Sequence, residues 1–274
     1  MNKPVLHVFR NTPFGRETLL QSAFFCRRLR LPLAIYTPQH KRFLFYFDSD
    51  VVQVDLDASY LNDPQTAAGH IDEILSLHQL SYQKVKPKGM SASNLPDLPS
   101  HFSVMTCPRS MSDEMRKIAL GHIGSKVRKI VQMASFPIFL PTAVFKPWTR
   151  LAVLYGGSDN AAGALRLACE IRRRTNTPLQ VFSQGARSEL AARLLEQGFS
   201  KEQIEDFEWI FFAAGDIAPQ LYMLPHDALV LLGAYGNRGI RETLFGSTME
   251  KVQAGVPNSL LVVGPKCRWA GGEG

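Results

Sequence analysis

The residues most able to do chemistry follow one apolar segment late in the chain. Gly233, Gly236, Gly246 and Ser247 come after the strand-like run Ala228–Leu232. In doubly wound sheets, ligands bind beyond the carboxyl ends of the strands. Each glycine there sacrifices about 0.5–1 kcal/mol relative to alanine. The cluster therefore predicts a backbone that approaches a ligand closely.

The second part of this motif is a predicted helix start. Ser247 and Glu250 match the Ser-x-x-Glu capping box, with Ser247 as the N-cap. Free N–H groups and the helix dipole favour an anion at such a terminus. Arg238 and Arg241 in the preceding loop would add charge-assisted bonds to phosphate oxygens. The motif predicts a phosphate site, in which the capping and ligand-binding roles of Ser247 would compete.

Fully apolar strands alternate with amphipathic helices along the whole chain, which is typical of parallel sheets covered on both faces. Gly124-Ser125 and the strand that follows it parallel Gly246-Ser247 and the last strand, which indicates an internal duplication. We therefore predict an α/β fold of two tandem doubly wound domains, each with a mostly parallel five-stranded sheet flanked by helices. The predicted domains are 1–145 and 149–274, joined by the proline-bearing linker Pro141–Trp148.

Individual elements follow from periodicity and capping residues. Residues 84–101 contain Pro87, Gly89, Pro96 and Pro99 and are predicted to be a loop. Helices are predicted over Glu17–Leu29, Pro64–Leu80, Ala161–Arg174, Ser188–Gln197, Asp216–Leu224 and Ser247–Ala254, and one or two helices are predicted within Asp113–Ala134.

The spacing Gly-x2-Gly-x9-Gly-Ser after a late strand resembles the nucleotide-binding signature of the universal stress protein family, and Gly233, Gly236, Gly246 and Ser247 match it without a gap. The resemblance covers residues 148–265, and residues 3–142 more faintly. It implies a five-stranded parallel sheet that often dimerises through its last strand. It also implies ATP as the ligand, with or without magnesium, and a regulatory role in the stress response.

The resemblance carries the nucleotide site onto particular residues. Besides the motif itself, it implies contacts from Asn237, Arg238 and Thr248 by adjacency, and an adenine pocket lined by Val181. Gly156 stands where the family usually has an aspartate at the nucleoside end of the site. Asp159 either substitutes for that aspartate from the next turn or serves the dipole of the following helix.

The first half departs further from the signature. Counted back from Gly124-Ser125, its two earlier glycine positions fall on Met111 and Glu114, and its first strand ends in Arg10-Asn11-Thr12-Pro13. The bulky side chain of Met111 would remove a flexible turn, and the carboxylate of Glu114 would repel a phosphate. We predict that this half is a degenerate copy that keeps the fold and binds no cofactor.

Composition narrows the class of protein. No apolar run reaches the ~18–20 residues of a membrane span, and four widely spaced cysteines indicate reduced thiols, so we expect a cytoplasmic protein with no membrane partner. The net charge is +7, and residues 1–147 hold 18 basic and 11 acidic side chains, but these are scattered, so nucleic acid is an unexpected partner. The seven histidines form no metal-binding pattern, and we predict neither catalytic residues nor a metal site.

Three functions remain open. The first is an ATP-binding stress regulator whose site lies in the C-terminal half only. The second is a ligand-free interaction module that keeps the fold, and the third is a slow ATP hydrolase rather than an efficient enzyme. As partners we expect the nucleotide, an intramolecular pseudo-dimer of the two halves, and a possible homodimer.

Overall fold

The computed structural model describes residues 3–47, 50–61, 63–109, 123–235 and 256–268. Most of the predicted glycine loop and the predicted helix Ser247–Ala254 therefore lie outside the described residues. Within them the strands are β1 (Val5–Val8), β2 (Leu33–Tyr36), β3 (Arg42–Phe47), β4 (Asp50–Asp55), β5 (Tyr82–Lys84), β6 (Gly89–Met90), β7 (Pro96–Leu98), β8 (Val104–Thr106), β9 (Ile138–Leu140), β10 (Arg150–Leu154), β11 (Leu179–Gln184), β12 (Glu208–Phe212), β13 (Ala228–Gly233) and β14 (Leu260–Val263).

The described α-helices are α1 (Pro13–Leu29), α2 (Pro64–Leu77), α3 (Ser125–Met133), α4 (Asp159–Thr175), α5 (Arg187–Glu196) and α6 (Lys201–Glu205). Their starts follow from local capping. Asp63 accepts from the Thr66 N–H ahead of α2, and α1 begins at Pro13, earlier than predicted, because Thr12 caps it. The predicted helix Asp216–Leu224 is a 3-10 helix over Ala218–Met223.

One ten-stranded sheet runs through both halves, in the order β12-β11-β10-β13-β14-β9-β8-β1-β2-β5. All neighbouring strands in it are parallel except β14 and β9, which pair antiparallel with Leu261 opposite Phe139. Each half therefore contributes five parallel strands with the first strand at the centre. The predicted α/β fold with a mostly parallel sheet flanked by helices is confirmed.

A second sheet was missed. It has four strands in the order β4-β3-β7-β6, with β3 and β4 antiparallel. The prediction that residues 84–101 form a loop is wrong, because this segment holds the end of β5 and both β6 and β7. The inward side chains of β3, Phe43 and Phe45, have no exposed surface and pack against the large sheet.

The hydrophobic core is divided by the faces of the large sheet, not by the halves of the chain. One cluster joins the small sheet, α3 and residues of both halves such as Leu6 and Val230. The cluster on the opposite face joins α1, α2, α4 and α6, again with residues of both halves such as Val5 and Leu231. Both clusters cross the predicted boundary at 145–149.

The strand registers align the two halves residue by residue. The Val5 N–H donates to the Pro32 carbonyl, and the Leu151 N–H donates to the Pro178 carbonyl, both at 2.8 Å. Helices α1 and α4 then match over 17 residues each, at an offset of 146. We call residues at this offset counterparts. The pairings Val5–Val104 and Leu151–Leu229 likewise make β8 and β13 counterparts at an offset of 125.

Two further features concern the described residues alone. No helix among them is long and apolar enough to cross a membrane. In the same ranges, no group of three or more His, Cys, Asp or Glu side chains is placed to hold a metal ion.

Candidate functional site

The candidate site lies where the strand order reverses. From β10 the chain builds the sheet outward through β11 and β12, then returns to the other side of β10 with β13 and β14. Such a reversal leaves a crevice at the carboxyl edge of the sheet, where ligands bind in doubly wound folds. Gly156 and Gly157 follow β10 at this edge, and Ser158 caps α4 by accepting from the Ala161 N–H at 3.2 Å.

Gly233 ends β13 at the same edge, but packing within the protein already requires a glycine at this position. A Cβ at this position would lie 2.3 Å from the Ala161 nitrogen and 2.3 Å from the Asn160 carbonyl carbon. Only glycine lets the end of β13 pack against the first turn of α4. The Asn160 side chain also donates to the Ala234 carbonyl, which fixes the same junction. Gly233, the first glycine of the motif, therefore packs against α4 within the described part of the chain.

The turn after β10 is held by Arg193 of α5 and by Gln197, the C-cap residue of that helix, and the sequence analysis identified neither. Arg193 Nε donates to the Gly157 carbonyl at 3.0 Å, and Gln197 Nε2 donates to the same oxygen at 3.2 Å. Gly157 has φ +81°, a backbone conformation that favours glycine. The four-residue spacing of Arg193 and Gln197, which places both side chains on one face of a helix, was the sequence feature that could have indicated this contact. These contacts place a guanidinium beside the Gly156–Gly157 turn.

Gln197 also links the neighbouring polar groups. Its Oε1 accepts from the Tyr155 hydroxyl at 2.8 Å, and its Nε2 lies 3.0 Å from Asp159 Oδ1. Burial raises the pKa of Tyr155 to about 12. Asp159 is exposed in the first turn of α4, the helix-start position that was one of its two predicted roles.

The other predicted site residues fall into two groups. Val181 lies in β11 with no exposed surface and pairs with Val153 and Trp209, so its side chain lies in the core beneath this edge. The remainder of the motif lies outside the described residues; it comprises Gly236, Asn237, Arg238, Gly246, Ser247 and Thr248.

The counterpart edge of the first half is filled by its own side chains. Arg10 is the counterpart of Gly156, and its Nε donates to Ser59 Oγ at 2.6 Å. Its guanidinium also lies 3.7 Å from Asp57 and 5.3 Å from the centre of the Tyr60 ring. The counterpart of Gly157 is Asn11, whose side chain contacts His70 Nδ1 of α2 at 2.8 Å.

The register also corrects one predicted equivalence. Because β8 and β13 are related by an offset of 125, the counterpart of Gly233 is Pro108 and not Met111. The count back from Gly124 misplaced this position because Gly124 lies 16 residues after Pro108, whereas Gly246 lies 13 residues after Gly233. Met111 and Glu114 themselves lie outside the described residues.

A cavity of about 320 Å³ lies elsewhere, between the small sheet, the end of α3 and the segment after β14. The ion pair of Lys266 and Asp50, 2.5 Å apart, contributes both of its side chains to the lining. Of the predicted nucleotide-binding residues that the structure describes, none lines it. The cavity is thus distinct from the candidate site at Gly156 and Gly233.

Comparison with known proteins gives the class to which this architecture is similar. No family model matches the chain. The sequence is 22% identical over 178 residues to universal stress protein Slr1230 of Synechocystis sp., a match that covers 63% of this chain and 61% of that protein. The match thus spans less than two thirds of the relative's length.

Solved structures share the fold over nearly the whole chain. A universal stress protein from Archaeoglobus fulgidus has a TM-score of 0.62 at 14% identity and 96% coverage of both chains. The functionally unknown protein PA1789 of Pseudomonas aeruginosa has a TM-score of 0.54 at 15% identity, with 97% of this chain and 93% of that one covered. The cytoplasmic domain of a prokaryotic cation chloride cotransporter has a TM-score of 0.50 at 11% identity, with 96% and 95% covered.

The chain is therefore similar in sequence to one universal stress protein. Its fold is similar to that of several solved structures, one of which is a second universal stress protein. The cotransporter domain illustrates that one fold serves several functions, so function rests on the site.

Proposed function

We propose that this protein is a regulator of the stress response that binds ATP at the carboxyl edge of its C-terminal half. The observation that carries the proposal is the difference between counterpart turns. After β10 the turn is Gly156-Gly157, which contributes no side chains of its own to the edge, whereas the side chains of Arg10 and Asn11 occupy the same position after β1. Similarity to a universal stress protein supports the same assignment.

In this proposal the nucleotide contacts Gly156 and the loop that follows Gly233. Arg193 beside the turn adds a positive charge that suits an anionic ligand. Val181 contributes from below, as part of the core under the site. The full proposed set also includes Gly236, Asn237, Arg238, Gly246, Ser247 and Thr248.

The proposal also gives each half a role. Residues 1–145 and 149–274 would be tandem copies that pair within one chain through β9 and β14, with the first copy keeping the fold without a nucleotide. The Arg10, Ser59 and Asp57 contacts support this, because they place side chains where the second copy has a glycine turn. The nucleotide, with or without magnesium, is then the ligand of a cytoplasmic protein with one site per chain.

A second candidate is a ligand-free interaction module. The packing of Gly233 against α4 favours it, because this contact accounts for one motif glycine without any ligand. In this case the remaining motif glycines would be retained for loop shape, and ATP would have no effect on the protein.

Binding is tested by thermal unfolding of the purified full chain with ATP. At 100 times Kd a ligand stabilises the folded state by about 2.7 kcal/mol. We therefore expect the Tm to rise by roughly 5–10 °C for a protein of this size. Gly236→Val and Gly246→Val should remove most of this rise, since both would add a side chain within the proposed phosphate loop.

The control variant is Gly89→Val, because a Cβ on Gly89 meets no atom within 4 Å. It should keep the full response to ATP. A Tm that does not respond to millimolar ATP or ADP, with or without magnesium, would favour the ligand-free module. Phosphate release above that of Gly246→Val would instead indicate a hydrolase, and mass spectrometry of a co-purified ligand would identify the nucleotide.

A further inference from the structure

Three polar side chains contact one another inside the core of the first half. His7 Nδ1 lies 2.8 Å from Ser22 Oγ, and Ser22 Oγ lies 2.9 Å from Thr106 Oγ1. They come from β1, α1 and β8, and each is at most 1% exposed. This polar triplet therefore links α1 to the sheet on the face that α1 covers.

The same three positions are apolar in the second half. Counterparts of His7 and Ser22 at the offset of 146 are Val153 and Ala168, and the counterpart of Thr106 at the offset of 125 is Leu231. All three counterparts have no exposed surface and belong to one hydrophobic cluster. A valine, an alanine and a leucine thus correspond to three groups that hydrogen-bond one another.

The burial of the triplet suits a neutral imidazole and opposes a charged one. Burial alone lowers the pKa of His7 to about 3. His7 Nε2 is buried and has no hydrogen-bond partner in the described residues. A proton added to this ring would therefore place an uncompensated charge in the core.

The titratable groups on the elements around His7 provide no counter-charge. On α1, the carboxylate of Glu17 accepts from the Phe145 N–H at 2.7 Å, and Arg28 donates to Thr177 at 3.1 Å. The remaining titratable side chains on α1, on β2 and directly after β8 are Arg16, Cys26, Arg27, Tyr36 and Cys107. None of these groups contributes to the pKa of His7.

We propose that the His7–Ser22–Thr106 triplet is an acid-responsive latch, which holds α1 on β1 and β8 while His7 is neutral and releases α1 when the imidazole is protonated. Exposure to water on opening returns the ring to an ordinary pKa near 6.5. The open state therefore binds the proton more tightly. As pH falls from about 6.5 toward 3, the opening equilibrium constant of α1 should rise by up to about tenfold per pH unit.

Hydrogen exchange by mass spectrometry tests the latch in the full chain, at pH 6.5, 5.5 and 4.5 and after correction for intrinsic exchange rates. Peptides from α1 report the latch, and peptides from α4 are the internal reference because their counterpart contacts are apolar. We expect opening of α1 to increase by roughly tenfold per pH unit, and opening of α4 to stay nearly constant. Equal increases in α1 and α4 would overturn the proposal.

Two variants separate the latch from general acid effects such as protonation of Glu17. His7→Gln keeps a neutral hydrogen-bonding side chain that does not titrate, and the triple variant His7→Val/Ser22→Ala/Thr106→Leu copies the apolar core of the second half. Both should lose the pH dependence of α1 opening. If either folded variant retains it, the latch is wrong. Because nucleotide is absent from this experiment, its result is independent of ATP binding.

Discussion

Gly233→Ala is expected to lower the free energy of unfolding by about 3 kcal/mol or more, the upper range for overpacking of a well-packed interior. The added Cβ would lie 2.3 Å from main-chain atoms of Asn160 and Ala161, so relief requires movement of α4 itself. Gly264→Ala should be at least as costly, since its Cβ would lie 1.9 Å from the Val131 carbonyl oxygen. Equilibrium unfolding in urea measures both effects.

Gly69→Ala is the matched control for these substitutions. Gly69 lies within α2, and a Cβ there meets no atom within 4 Å. Alanine should stabilise this helix by roughly 0.5–1 kcal/mol. If Gly233→Ala unfolds at the same urea concentration as Gly69→Ala, the close packing of β13 on α4 does not determine stability.

This prediction also bears on the nucleotide experiment. Loss of ATP binding in a Gly233 variant would reflect damage to the junction of β13 and α4, because that residue contacts protein backbone. Substitutions of Gly233 are therefore left out of the ATP experiment, which uses Gly236 and Gly246 of the proposed phosphate loop. The distinction could not be made from the motif, since spacing along the chain does not reveal which glycine approaches another part of the fold.

Elements with strong local signals were predictable. Fully apolar strands such as β13 predict a parallel sheet covered on both faces, and local caps such as Asp63 before Pro64 fix helix starts. The small sheet was missed because its shortest strands have only weak local signals. Its strands β6 and β7 have two and three residues, so they exist through pairing with distant partners. The alternating Phe43, Phe45 and Phe47 in β3 were the overlooked period-two signal.

The candidate site was predictable only in part for the same physical reason. The glycine turn after β10 is a local feature that the sequence makes visible. Its contacts with Arg193 and Gln197 depend on how α5 packs, some 36 to 40 residues away along the chain. The role of Arg10 likewise depends on Asp57 and Ser59, which the unpredicted β3–β4 hairpin brings beside it.

Phe139→Ala is expected to destabilise both halves together. Phe139 has no exposed surface, stands opposite Leu261 at the only antiparallel pair of the described large sheet, and stacks on Phe25 with ring centres 4.8 Å apart. Truncation of such a ring costs about 3–5 kcal/mol. Because both core clusters cross the junction of the halves, α1 and α4 should lose protection at one urea concentration, lower than in the unaltered chain.

The measurement is hydrogen exchange of α1 and α4 peptides across a urea series. For a slope near 3 kcal/mol per molar, the shared midpoint should fall by about 1 M or more. Phe14→Ala is the control, because Phe14 is 45% exposed and its truncation should change stability by about 0.5 kcal/mol or less. If only α1 shifts, the halves unfold as separate units. A common shift would mean that the continuous sheet couples the C-terminal half, with its proposed nucleotide site, to the N-terminal half, with its proposed latch.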